Sequence, residues 1–329
     1  FFQVQTTAAS SLGSQQLSMF VFQVKLMTCH FIDKSYNRPK FNTYTSWNPA
    51  ATTFADTSTI GKNPYAFFID INNTMYIPSR SNNKILIWFT GASNPSQTLS
   101  TNSSNSSSIF VTSSRDIYVD NGILAGEIDR WTFNWTKSTS PMSIQQFCTG
   151  LFVDINNTLY CSLESNHQVI AKSLSISNSN ARAVAGTGCS GSNLDMLASP
   201  NGIFIDDNFD LYVADSGNNR IQKFQPGQVN GSTVAGSGIT NTIDLNYPTC
   251  VVLDANKYLF IVDSNNHRIV GSGPNGFRCI IACSSISGAQ NYTLSYPRSM
   301  TFDSYGNIYV SDTGNNRIQK FNMTSNSTG

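Results

Sequence analysis

The strongest constraint on this chain is that it repeats itself. LYVADSGNNRIQKF, beginning at Leu211, returns almost unchanged as IYVSDTGNNRIQKF at Ile308, and a looser copy, LFIVDSNNHRIV, begins at Leu259. Aligning on the aromatic residue of the motif gives six copies, at Tyr76, Tyr118, Tyr160, Tyr212, Phe260 and Tyr309, with gaps of 42, 42, 52, 48 and 49 residues. That period matches one four-stranded blade plus its loops. Twelve residues before the aromatic stand Pro64, Ser106, Cys148, Pro200, Pro248 and Pro297; six before it stand Asp70, Thr112, Asp154, Asp206, Asp254 and Asp303. A feature present in every copy is architectural by default, and only departures from the repeat point to a site. The second copy is the weakest.

Within each copy the pattern is that of strands. Short apolar runs such as FFID and GIFID suit an innermost strand buried on both sides. A polar turn follows, then an aromatic and β-branched strand, an Asn/Gly-rich turn, and a third strand of the RIQKF type. STVAGSG at Ser232, RAVAGTG at Arg182 and RCIIAC at Arg278 read as fourth strands. Helical periodicity is absent through the repeats, so the chain is all-β.

These runs resemble the NHL repeat, whose copies pair a GIxVD-type strand with a VADxxNNRIQxF run. The resemblance spans Trp47 to Phe321 and implies a six-bladed β-propeller of four-stranded antiparallel blades. The sixth copy ends at Phe321 without a fourth strand, while NPAATTFAD (Asn48 to Asp56) has the fourth-strand pattern and no blade of its own. It is expected to close the ring on blade six, removing a sheet edge. The expected organisation is an N-terminal extension at 1–46 (leader remnant or disordered), a propeller at 47–322 and a tail at 323–329.

Composition bears on compartment and partners. The net charge is +1 and only 12% of residues are charged, so no field favours nucleic acid, and no apolar run is long enough to span a membrane. Nine N-x-S/T sequons (Asn72, Asn102, Asn105, Asn134, Asn156, Asn230, Asn291, Asn322 and Asn326) all fall in predicted loops, turns or termini. That placement suits glycosylation of a secreted protein. Seven cysteines fit an oxidising compartment and leave the pairing open. Cys279 and Cys283 lie in one apparent strand, too far apart for a bridge unless that strand bulges.

Asp215, Asp263 and Asp312 precede Arg220, Arg268 and Arg317 by five residues each; a pair repeated in three blades is expected to hold turns rather than clamp a substrate. Asp70, Asp154, Asp206, Asp254 and Asp303 form either a weak calcium-binding ring at one channel mouth or a set of hairpin caps. His167 and His267 share the repeat position of Asn83, Asn219 and Asn316. Some secreted members of the family resemble amidating lyases, which implies an axial three-histidine zinc site that two turn histidines cannot build. No GxSxG, HExxH or CxxC motif occurs, so no catalytic residue and no cofactor is assigned.

Loops between the second and third strands, and between blades, share one face of a propeller. Most sequons map to the opposite face. The first face is therefore expected to bind a protein or glycan through Tyr65, Arg80, Asn82, Asn166, His167, Asn218, Tyr247, Asn265, His267, Tyr296 and Asn315. The expected function is a secreted binding module. Its rivals are a propeller-type metal-dependent hydrolase or lyase and the substrate-recognition propeller of a ubiquitin-ligase-like protein.

Overall fold

In the computed structural model, the described residues are 34–101, 105–122, 126–132, 134, 140–144, 146–240 and 242–325. They form six four-stranded antiparallel sheets, five of which run outward in chain order from an innermost strand. Blade four is typical, with strands Pro200–Ile205, Leu211–Asp215, Arg220–Phe224 and Ser232–Gly236. Blade two is complete despite its weak sequence signal, with strands Ile109–Val111, Ile117–Asp120, Glu127–Trp131 and Met142–Ser143. Blade six takes Met300–Phe302, Ile308–Asp312 and Arg317–Phe321 from the last repeat and Thr52–Ala55 as its outermost strand. The closing strand is the one expected from the sequence, with Thr52 opposite Lys320 and Ala55 opposite Ile318. Ser46–Trp47 also pairs with Met323–Ser325, joining the two ends of the ring a second time.

The repeat residues explain the geometry. The repeat aromatics Tyr76, Tyr118, Tyr212, Phe260 and Tyr309 are buried in the sheets. The inner-strand aspartates cap the hairpins that follow them: Asp70 Oδ1 accepts from the N–H groups of Asn72 (2.9 Å) and Thr74 (2.8 Å), and Asp154, Asp206, Asp254 and Asp303 repeat the pattern. The second carboxylate oxygen is bonded elsewhere, as in Tyr76 Oη to Asp70 at 3.2 Å and Tyr160 Oη to Asp154 at 3.1 Å. Among the described residues no group of three or more His, Cys, Asp or Glu is arranged to hold a metal ion.

At the opposite face each Asp–Arg pair ties down the loop that enters its own blade. Asp215 accepts from Arg220 Nε (2.7 Å) and from the Ala198 N–H (2.7 Å), while Arg220 donates to the Ser192, Asn193 and Met196 carbonyls. Asp263–Arg268 and Asp312–Arg317 do the same. The Asn/His position sits in the left-handed region, with φ of 54° at Asn219, His267 and Asn316, each of which follows a single 3-10 turn, and 52° at His167. Glycine aside, Asn, Asp and His are the residues enriched in that region. The side chain there must also offer an acceptor. Asn219 Oδ1 takes the Tyr247 N–H (2.8 Å), Asn316 Oδ1 takes that of Asn63 (2.8 Å), and His167 and His267 use Nδ1 for Ser199 (3.1 Å) and Tyr296 (3.2 Å). His167 and His267 are thus blade-to-blade latches. Gly186 and Gly236, ending two fourth strands at φ of 80° and 87°, are required because a Cβ would meet the His167 or Asn219 carbonyl at 2.3 Å.

Disulfides join Cys148 to Cys161 and Cys279 to Cys283. The latter pair escapes the distance objection because the strand ends at Ile281 and Ala282 turns left-handed (φ 55°), bringing the two Cα atoms to 5.6 Å. No described helix is long and apolar enough to cross a membrane.

Candidate functional site

The six innermost strands surround an axial cavity of about 130 Å³. Three layers line it, each supplied by one position of the repeat. The mouth, on the first face, consists of Tyr65, Ser107, Thr149, Asn201, Thr249 and Arg298. Below it lie the small Ala66, Ser108, Gly150, Gly202, Cys250 and Ser299. Deeper still, Phe68, Phe110, Phe152 and Phe204 form an aromatic floor, completed by Val252 and Thr301. Two of the glycines reflect how closely the blades converge: a Cβ on Gly150 would lie 2.5 Å from the Asn201 carbonyl, and one on Gly202 would lie 2.7 Å from that of Thr249.

The floor is sealed from the second face by residues 34–41, to which sequence reasoning assigned no role. Tyr36 sets its ring edge-on against Phe110, Phe152 and Phe204, with centroids 6.3, 5.5 and 5.4 Å away. Asn37 donates to the carbonyls of Asp70 (2.9 Å) and Phe302 (3.2 Å), spanning blades one and six. Arg38 donates to the Asp254 carbonyl (2.8 Å) and pairs with Asp207 (2.8 Å). Phe41 then packs among Trp47, Phe260 and Phe302. The repeat leaves room for this strap. In blade five the aromatic is Phe260, which has no hydroxyl, and Asp254 accepts the Phe41 N–H (3.4 Å). The cavity is closed at one end and open at the other.

The sequence-nominated residues divide into two groups. Asn218 and Asn315 bond Asp215 and Asp312, Asn82 bonds Ser79, Asn166 accepts from Gln146, and His167 and His267 are the latches. Asn265 is an exposed residue bonded to Asn246, and Tyr296 is exposed on the rim with its ring edge-on to His267. Tyr65, Arg80 and Tyr247 converge at the mouth, where they meet Arg298, Glu164 and Asn201, none of which was nominated.

Tyr65 lies between two guanidinium groups, with Arg80 3.6 Å and Arg298 4.1 Å from its ring centroid. Burial opposes ionisation of its phenol, but Arg298 and Arg80 together hold it below the ordinary tyrosine value. Tyr247 donates its hydroxyl to Glu164 Oε1 at 2.9 Å, and burial together with that carboxylate raises its phenol. Tyr247 also adopts φ of 52° immediately before a proline, a conformation a bulky residue rarely takes. Beneath Arg80, fully buried Asp120 accepts the Ser107 N–H (3.1 Å), and burial pushes its carboxyl up to about 6.

A signal for the missed residues is present in the sequence. Arg80 and Glu164 occupy the repeat position of Ser216 and Thr313, whose hydroxyls bond the proline carbonyl of the next blade at 2.6 and 2.7 Å. Arg298 and Tyr65 stand at the position following the proline, where the other copies carry small or polar side chains. These are departures from the repeat, and ring closure gathers them at one place.

A family model for the NHL repeat matches residues 197–224 and 294–321, within blades four and six and the loops entering them. A comparison with curated proteins finds no significant match. Among solved structures, an auxiliary nutrient binding protein from Bacteroides thetaiotaomicron is similar with a TM-score of 0.61 at 14% identity, covering 89% of this chain and 76% of that one. A streptogramin B lyase gives 0.59 at 14%, covering 83% and 97%. A catalytically inactive virginiamycin B lyase from Staphylococcus aureus, solved with quinupristin, gives 0.58 at 12%, covering 82% and 98%. At such identities the likeness is one of fold.

Proposed function

This chain is an NHL-repeat six-bladed β-propeller, and we propose that it is a secreted binding module that takes a protein or glycan on the face where the axial cavity opens. The observation that carries the reading is the asymmetry of the axis. One end is sealed by the Tyr36 strap; the other gathers the residues that break the repeat: Tyr65, Arg80, Glu164 and Arg298, joined by Tyr247. Recognition sites concentrate on loops and strand ends held by a rigid scaffold, which is what the latches and Asp–Arg pairs provide. The name of the nutrient-binding neighbour is compatible with a binding role.

Two disulfides support an oxidising compartment. The described sequon asparagines Asn72, Asn105, Asn134, Asn156, Asn230, Asn291 and Asn322 are all exposed. Of the described between-blade sequons, Asn291 lies on the outer rim, its carbonyl accepting the Ala51 N–H at the start of the closing strand, whereas Asn105 lies beside the mouth, its N–H donated to the Arg80 carbonyl at 3.4 Å.

The test is affinity capture from an extracellular fraction with the intact glycosylated chain. Tyr65→Ala and Tyr247→Ala should abolish capture, whereas Tyr305→Ala, at an exposed residue in a second-face hairpin, should leave it intact. Equal capture by all three variants would overturn the reading, as would dense glycan occupancy around the mouth. The lyase rival, suggested by the names of two neighbours, calls for turnover assays on lactone and ester substrates with and without added divalent metal.

A further inference from the structure

We propose that the mouth recognises a carboxylate carried beside an apolar side chain, as at the C-terminal residue of a protein, with Arg80 and Arg298 holding the carboxylate and the side chain descending into the cavity. This rests on the reading of the open mouth as the binding face.

The first support is the state of the two guanidiniums. Arg38, Arg130, Arg220, Arg268 and Arg317 each pair with an aspartate. Arg80 and Arg298 pair with no carboxylate among the described residues; both stack on Tyr65 instead, and Arg80 Nε is buried without an acceptor. Because the N–H donors of a guanidinium lie in its plane, stacking on a ring face occupies the π-surface and leaves the donor edges free for a planar oxyanion. Tyr65 therefore holds both guanidiniums at the mouth without neutralising either.

The second support is charge. Glu164 is bonded to Tyr247 at the same mouth, and Asp120 is buried beneath Arg80. While Asp120, buried and pushed up to about 6, keeps its proton, Arg80 and Arg298 against Glu164 leave one net positive charge, which ionisation of Asp120 cancels. A single negative charge is complemented in the first of these states; a dianion such as phosphate is opposed in both.

The third support is the shape and lining beneath the arginines. A cavity of about 130 Å³ is close to the roughly 150 Å³ that accommodates benzene in an engineered protein core. Mouth and floor are three residues apart along each inner strand, or ~10 Å. The floor of Phe68, Phe110, Phe152 and Phe204 offers ring edges and faces to an aromatic or large aliphatic side chain. Sugars, uniformly hydroxylated, match the polar rim and not this floor.

The experiment titrates the intact chain by calorimetry with N-acetyl-L-phenylalanine, its neutral amide, N-acetyl-glycine, glucuronate and inorganic phosphate. Saturable binding of N-acetyl-L-phenylalanine is expected, weakened at least about tenfold by amidation, by loss of the benzyl group, and by Arg80→Gln or Arg298→Gln, with unchanged melting temperature. Equal binding of acid and amide, tighter binding of glucuronate or phosphate, indifference to both arginine variants, or no saturable binding would each overturn the inference. If these probes fail while Tyr65→Ala still abolishes capture of the partner, only the carboxylate inference falls. If capture survives Tyr65→Ala and Tyr247→Ala, the reading of the mouth as the binding face falls with it.

Discussion

Removing the carboxylate of Asp312 tests whether the recurrent Asp–Arg pair is scaffold. The side chain is fully buried and accepts from the Ser295 N–H (2.7 Å), Asn315 Nδ2 (2.9 Å) and Arg317 Nε (2.6 Å). Arg317, 14% exposed, also holds the Ala289 and Gln290 carbonyls. Asp312→Ala leaves a largely buried guanidinium and the Ser295 amide without their carboxylate, so a loss of about 3 kcal/mol, the lower end for a buried pair, is expected. At about 2–4 °C per kcal/mol for a large domain, the melting temperature should fall by roughly 10 °C. Asp116→Ala removes the partner of Arg130, which is 40% exposed, and should cost about 0–1 kcal/mol.

The same geometry says that the intact pair is not itself a source of stability. Burial outweighs the attraction of Asn315, Ser295 and Arg317 and raises the Asp312 carboxyl above its ordinary value. The folded state then holds that proton more tightly than the unfolded state. The contribution of Asp312 is greatest at acid pH and is lost as pH rises through the ordinary carboxylate range to the raised folded value. Apolar replacement of both partners, Asp312→Leu with Arg317→Met, should therefore recover at least half of the loss caused by Asp312→Ala, because the freed carbonyls lie where water can reach them. Thermal and urea melts of the four proteins decide the matter. An Asp312→Ala variant as stable as Asp116→Ala, or a double variant no better than the single one, refutes this account.

Tyr36→Ala should cost roughly 3 kcal/mol, from loss of a largely buried ring and its three edge-on contacts, and should open the cavity at both ends. A urea midpoint shift corresponding to under about 0.5 kcal/mol would show that the strap is not part of the fold. For His267, burial lowers the imidazole below its ordinary value, and Nδ1 must stay unprotonated to accept the Tyr296 N–H. Its contribution is thus fully present above about pH 6.5 and declines as pH falls toward the folded value. His267→Asn, which restores the side chain used at Asn219 and Asn316, should flatten the pH dependence of the melting temperature below about pH 6.5; an unchanged profile would refute the latch.

What was legible in the sequence was whatever the repeat states several times. The aromatic, the hairpin aspartate, the Asp–Arg pair and the Asn-rich turn each recur, so their spacing reports strand order, and the orphan NPAATTFAD run reports closure. What was not legible depends on contacts between distant segments that occur once. Tyr36 has no counterpart in any repeat, and nothing local in its neighbourhood announces that its ring seals a floor built from Phe110, Phe152 and Phe204. Tyr65 and Arg298 are neighbours only because the ring closes. The histidines nominated for the binding face carry a structural task that the repeat itself announces: at a left-handed turn position imidazole replaces Asn as a hydrogen-bond acceptor.

The two faces differ because they bear different structural duties. On the second face five hairpins close on their own aspartates, and the strap lies across the axis, bonding the carbonyls of Asp70, Asp254 and Phe302. Substitution there disturbs a turn or the seal. On the first face the latches and Asp–Arg pairs sit away from the axis, fixing the loops from outside and leaving two repeat positions nearest the axis without a common task. In blades four and six one of these carries a hydroxyl that bonds the next blade; in blades one and three it carries Arg80 and Glu164, and the ring still closes without that bond. A residue that the scaffold can spare in two blades is free to be charged, and in this fold freedom of that kind converges at the mouth of the cavity.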